Sequence, residues 1–141
     1  MDDDEPVLSI GQAAERTGLS VHTLRFYERE ELLPRPVRRD SRGRRVYGET
    51  DLEWLLVCAN LRASDMPLPE IRRYTALVRE GPGNEEERLS LLLRHRDRVA
   101  ARIAELGRRL DLIGYKADYY AERIADGTAH RVWSPPPPGG G

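Results

Sequence analysis

Apolar positions alternate with polar ones at helical spacing from the start of the chain. Ile10, Ala13, Ala14 and Thr17 follow Ser9, which stands three residues before Gln12 in the form of a capping box. Gly18 stops this predicted helix. Ser20 caps a second one, Val21 to about Glu31, whose Val21, Leu24 and one ring of the Phe26–Tyr27 pair face inward. Two short helices joined by a tight glycine turn predict a helix-turn-helix. Pro34 and Pro36 bar its continuation. The stretch 38–47 then places Gly43 between basic flanks and closes on Val46 and Tyr47, which reads either as a two-stranded wing or as a mobile exposed loop.

A second capping box, Thr50 with Glu53, opens a predicted helix to about Ser64, with Leu52, Leu55, Leu56, Ala59 and Leu61 toward a core. Pro69 fits a first helical turn, so a further helix is expected over about 69–80, burying Ile71, Tyr74 or Thr75, and Leu77. Gly81, Pro82 and Gly83 end it. Beyond them Leu89, Leu92, Arg96, Val99, Ile103, Leu106, Leu110, Ile113, Ala117, Tyr120 and Ile124 alternate by three and four without a break. That heptad predicts a coiled-coil helix about 60 Å long at ~1.5 Å per residue. An apolar seam on a lone helix is poorly stable, so the seam implies a partner, most simply a second copy of the chain. Arg96 stands alone in the seam, where it either fixes register or reaches outward along its own stem.

Charge changes this picture in one place. The net charge is −1, yet residues 16–45 hold nine arginines against four acids. Such a local positive field suits a nucleic-acid face, and equally a solvated surface. The single cysteine, Cys58, excludes a disulfide or a thiolate-pair metal site within one chain. No stretch carries the run of apolar residues a membrane span needs, and the acidic N-terminus, Met1 to Glu5, is opposite in sign to an export signal. The expected location is therefore the cytoplasm. No paired His–carboxylate spacing, phosphate loop or nucleophile signature is present, so an enzyme is not expected and no cofactor is implied. Five segments result: an acidic tail (1–6), a winged helix-turn-helix (7–48), a second helix pair (49–83), a coiled-coil helix (84–126) and a Pro/Gly-rich tail (127–141).

These parts, in this order, resemble the MerR family of bacterial transcription regulators. The resemblance rests on Ser9–Ala14, Thr17–Glu28, Leu32–Pro34, Arg44–Tyr47, Asp51–Leu52 and Leu68–Ile71, and extends over residues 7 to about 125. It implies a mainly α fold and a homodimer joined by an antiparallel coiled coil. Its seam here would be Leu89, Leu92, Val99, Ile103, Leu106, Leu110, Ile113 and Tyr120. It also implies binding to palindromic promoter operators, with the duplex bent and untwisted so that RNA polymerase engages both promoter elements. A repressor that leaves its promoter undistorted and a dimeric protein-interaction scaffold are the rival readings.

On that resemblance, the second helix enters the major groove, and Ser20, Val21, His22, Thr23 and Arg25 are candidates for base edges or adjacent phosphates. Tyr27 either donates to a phosphate or packs on the wing. Arg42, Arg44, Arg45 and Tyr47 would hold the backbone, although Arg45 has an alternative as the structural pair of Glu28 or Asp51. For an effector, the resemblance to aldehyde-responsive members singles out Cys58, with buried inert packing as the alternative. Trp54 and Tyr74, with Tyr115, Tyr119 and Tyr120, line either a small-molecule pocket or plain core. No metal site is expected, and the protein would act at the bacterial nucleoid.

Overall fold

A computed structural model describes residues 6–133. The acidic residues 1–5 and the run from Ser134 through the four prolines to Gly141 lie outside the described residues. The chain divides into two compact units, one through Arg96 and one from Asp97.

In the first unit, β1 (Leu8–Ser9) leads directly into α1 (Ile10–Thr17). Ser9 caps that helix by accepting from the Gln12 amide, while Gln12 accepts from the Ser9 amide in return. Gly18 adopts φ +74° and donates its amide to Ala14, a left-handed stop that only glycine adopts at no steric cost. Ser20 accepts from the Thr23 amide at 3.0 Å and starts α2 (Val21–Arg29). The helix ends two residues earlier than its sequence pattern suggests. Glu31 turns to φ +56°, and Leu32 and Leu33 tuck into the core instead.

The wing forms from β2 (Arg38–Arg39) and β3 (Arg45–Tyr47), antiparallel, with Arg39 opposite Arg45. β1 pairs with the other edge of β3, Leu8 opposite Tyr47, giving the sheet order β1-β3-β2. This third strand has no signal in the sequence, since two residues cannot show an alternating pattern. At the wing tip Asp40 accepts from the amides of Arg42 and Arg44, at 2.9 and 3.0 Å, with Gly43 at φ +76°. The Arg44 amide foremost holds the Asp40 carboxyl below its ordinary range.

α3 (Glu49–Ala63) starts earlier than Thr50. The cap is Gly48, whose amide donates to the Asp51 carboxylate at 2.9 Å, so the expected box on Thr50 is displaced by one on Asp51. α4 (Leu68–Glu80) has Pro69 in its first turn, as its sequence requires. Side chains from these helices bind the segment after α2. Trp54 donates its indole N–H to the Leu32 carbonyl at 2.6 Å, Arg79 donates to the Leu33 and Pro34 carbonyls, and Arg72 pairs with Glu30. The core gathers Leu24, Leu32, Leu55, Ile71 and Leu77, all essentially inaccessible.

α5 (Glu85–Ala125) is a single helix crossing the boundary between the units. Its first turns depart from the heptad reading. Leu91 and His95 are buried and Leu92 packs on the core, whereas Leu89 is exposed. His95 meets the hydroxyl of Ser64, the residue ending α3, at 2.7 Å. Leu92 is thus a contact within its own unit, because the Leu91–Leu93 run offers two overlapping apolar stripes and the α3–α4 core selects the one through Leu91. This is also why the unit boundary falls after Arg96 rather than at the start of the helix. In the second unit Ile103, Leu106, Leu110 and Ile113 are all more than half exposed. Val99 and Tyr120 are half-buried, and a short 3-10 turn at Ala129–Arg131 follows the helix.

Candidate nucleic-acid interface

The helix-turn-helix and wing carry nine arginines, and the fold divides them by what each one touches. Arg16 pairs with Glu49 at 3.1 Å, Arg35 with Asp51 at 3.1 Å and Arg38 with Asp51 at 3.7 Å. Arg39 donates to the Gly43 carbonyl, and Arg44 reaches Asp40 at 3.3 Å. Arg45 binds Glu28 at 2.5 Å, with both side chains largely shielded, so of its open readings the structure takes the pair with Glu28. Arg25, Arg29 and the guanidinium of Arg42 are exposed and make no ion pair among the described residues. A cation neutralised by an internal carboxylate has less to offer a phosphate than one facing water alone.

The other candidates on α2 fall into three groups. His22 is exposed and open, and Val21 is half-buried. Ser20 and Thr23 are 2.9 Å apart and occupied in capping the helix. Tyr47 is a correction to the surface reading, whereas for Tyr27, left open between a phosphate contact and packing, the structure favours packing. Their rings are 3% and 1% exposed, and burial raises both phenols above their usual range. The Tyr47 hydroxyl is enclosed with no hydrogen-bond partner among the described residues, so it sits in the core rather than open to a phosphate. Sequence reasoning passed over Arg29 and Arg62. Arg62, from the last turn of α3, shares an open cleft of about 260 Å³ with His22, Thr23, Phe26 and Tyr27.

Comparisons with known proteins decide what this arrangement is. A family model described as MerR HTH family regulatory protein matches residues 8–77, and one described as MerR, DNA binding matches residues 52–113. An HTH-type transcriptional regulator of Haemophilus influenzae is 41% identical over 121 residues, covering 86% of this chain and 89% of its own. The chain belongs to the MerR family. This MerR regulator is also similar to a solved structure, HiNmlR, a MerR family regulator lacking the sensor domain, bound to promoter DNA. The two share 39% identity and a TM-score of 0.80, over 92% of this chain and 98% of the other. A MerR family structure from Listeria monocytogenes follows at 32% identity and a TM-score of 0.77, over 89% and 99%.

The residues read as possible sensors lie elsewhere in the regulator. Cys58 is 1% exposed, and burial pushes its thiol up to about 11, against a smaller opposing pull from Arg62. A thiol that is neither accessible nor ionised near neutrality is a poor nucleophile, which favours the inert alternative. Trp54 and Tyr74 stack on each other with centroids 5.6 Å apart, and Trp54 also bonds to Leu32, so both brace the core. A cleft of about 460 Å³ does open beside Trp54, lined by Pro34, Asp51, Val57, Val78 and Arg79 among others. Tyr119 and Tyr120 meet edge to face, with Lys116 over both rings. Among the described residues, no group of three or more His, Cys, Asp or Glu could hold a metal ion, and no helix is long and apolar enough to cross a membrane.

Proposed function

We propose that this MerR regulator binds a palindromic promoter operator as a homodimer and deforms the duplex to control initiation by RNA polymerase in the bacterial cytoplasm. α2 enters the major groove, where Arg25 and His22 reach base edges or the phosphates beside them. Arg42 at the wing tip holds the backbone, and Arg44 and Arg45 shape the wing while keeping their charge close to it. The exposed seam Ile103, Leu106, Leu110 and Ile113 closes on the same seam of a second copy. Specificity then comes from base contact together with the cost of twisting the duplex between two heads.

One observation carries the reading: Arg25, Arg29 and Arg42 face solvent without carboxylate partners among the described residues, on a surface where the neighbouring arginines have internal partners. Duplexes selected from a genomic library by the purified protein supply the operator. Affinity for them is expected to fall log-linearly and steeply with salt, and Arg25→Ala is expected to abolish selective binding with the fold intact. A scaffold protein would show almost no salt dependence. Hyperreactive cleavage at the operator centre in a footprint is the expected sign of distortion, and its absence favours simple repression.

A further inference from the structure

The wing is a short hairpin, and one carboxylate holds both of its ends. β2 and β3 pair through Arg38 with Val46 and Arg39 with Arg45, and β2 is the outer strand of the sheet. So short a ladder does not by itself fix the direction in which a hairpin points. Asp51, in the first turn of α3, sits at the base. Its Oδ1 accepts from Arg35 Nε at 3.1 Å, just before the chain enters the wing. Its Oδ2 accepts from the Gly48 amide at 2.9 Å, where the chain leaves the wing, and lies 3.7 Å from Arg38 Nη2 on β2. The Asp51 side chain is 15% exposed, against 54% for Glu49, which meets Arg16 from the same turn of α3. A shielded carboxylate shared among several donors restrains them more firmly than an ion pair made in open water.

We infer that Asp51 is a positioning residue for DNA binding: by holding both ends of the hairpin it sets the direction of the wing, and so where Arg42 meets the duplex backbone. This rests on the DNA-binding reading of the wing. Arg42 stands four residues beyond Arg38, which is about 13 Å along an extended strand at ~3.3 Å per residue. A rotation of about 10° at the base moves such a tip by about 2 Å, several times the ~0.5 Å spread of hydrogen-bond lengths. Charge alone argues for the opposite effect. Asp51 is an acid in a head that binds a polyanion, so its removal strengthens binding if it has no positional role.

The test titrates wild type, Asp51→Asn, Arg42→Ala and the double variant against a duplex selected by the protein and an unrelated duplex of equal length. It is run at a temperature where circular dichroism shows each protein folded. Asparagine still offers an oxygen to the Gly48 amide, so the cap of α3 survives while both arginines lose their counter-charge. Asp51→Asn is expected to weaken both duplexes by about fivefold. Its log–log salt slope should flatten toward that of Arg42→Ala, by up to about 0.9 for one lost phosphate contact. The double variant should bind no more weakly than Arg42→Ala alone, because a misdirected tip has no contact left to lose. Combined with His22→Ala on α2, Asp51→Asn should instead give losses that multiply, which a general loosening of the head would not. Arg38→Gln releases β2 while Gly48 and Arg35 stay on Asp51. It should show the same coupling to Arg42→Ala, and it carries the test if Asp51→Asn does not fold. Unchanged or tighter binding by Asp51→Asn overturns the inference. So do losses that multiply with Arg42→Ala, or a loss in Asp51→Asn where Arg42→Ala is silent. If Arg42→Ala weakens binding while Asp51→Asn does not, only this inference fails. If wild type binds neither duplex, the DNA-binding reading fails with it.

Discussion

Through Arg96 most of the large apolar side chains turn inward, and from Asp97 onward most do not. The first unit encloses fourteen buried apolar residues, from Ala13 on α1 to Leu91 on α5. Among residues 97–133 none is buried, and Leu110 and Ile113 stand 67% and 66% exposed. The same helix, α5, belongs to both regions, so helix propensity does not explain the contrast. What differs is whether the chain supplies something to pack against. The first region completes its own core, whereas the second presents a regular apolar row that requires another molecule to cover it.

That contrast can be broken by matched substitutions. Leu55→Ala, in the first region, is expected to destabilise the fold by about 2–5 kcal/mol through lost burial and a residual cavity, read by urea denaturation. Leu110→Ala removes the same atoms from the second region. It should leave the circular dichroism of the protein intact at high concentration and weaken self-association by on the order of 3 kcal/mol, read from the concentration dependence of mass. Equal destabilisation of a monomeric state by both variants would erase the distinction.

Smaller effects sharpen the account of the first region. Arg45→Ala is expected to cost about 1 kcal/mol of stability by breaking the partly shielded pair with Glu28, whereas Arg42→Ala should cost none and weaken duplex binding instead. Cys58 titrates near its ordinary value of 9.0 when unfolded and at about 11 when folded. Its neutral form is therefore favoured by folding, so its contribution is fully present below pH 9 and is lost as pH rises toward 11. A thiol reagent at neutral pH should react at the rate of unfolding, and fast labelling of the native protein would contradict the buried placement. Smallest of all, Tyr47→Phe removes a hydroxyl that has no partner among the described residues, so stability should hold or rise by a few tenths of a kcal/mol. A clear loss of duplex affinity in that variant would return Tyr47 to the interface.

How far the sequence shows all this depends on the range of each interaction. Ser9 with Gln12, Gly18, and Ser20 with Thr23 act within three or four residues, and α1, the turn and α2 are legible from them. β1 is only two residues long and exists because Val46 and Tyr47 lie beside it, which no local pattern reveals. The Leu91–Leu93 run permits two stripes, and only the presence of Ser64 and the α3–α4 core selects Leu91 and His95. The basic stretch 16–45 is visible as a charge excess, but the sequence does not say which of its arginines meet acids. Asp51 stands sixteen residues from Arg35, Glu28 seventeen from Arg45, and Phe26 lies on a different helix from Arg62. Tyr47 is indistinguishable in sequence from an exposed wing tyrosine until its ring is placed in the core.

The uncovered row on α5 is the feature from which dimerisation, and with it the pairing of two DNA-binding heads, is argued. Sedimentation equilibrium of the full chain across micromolar concentrations tests it without DNA or effector. The account predicts a mass of twice the 16.1 kDa of one chain, falling toward a single chain in Leu110→Glu. A wild-type mass of one chain throughout that range would contradict it.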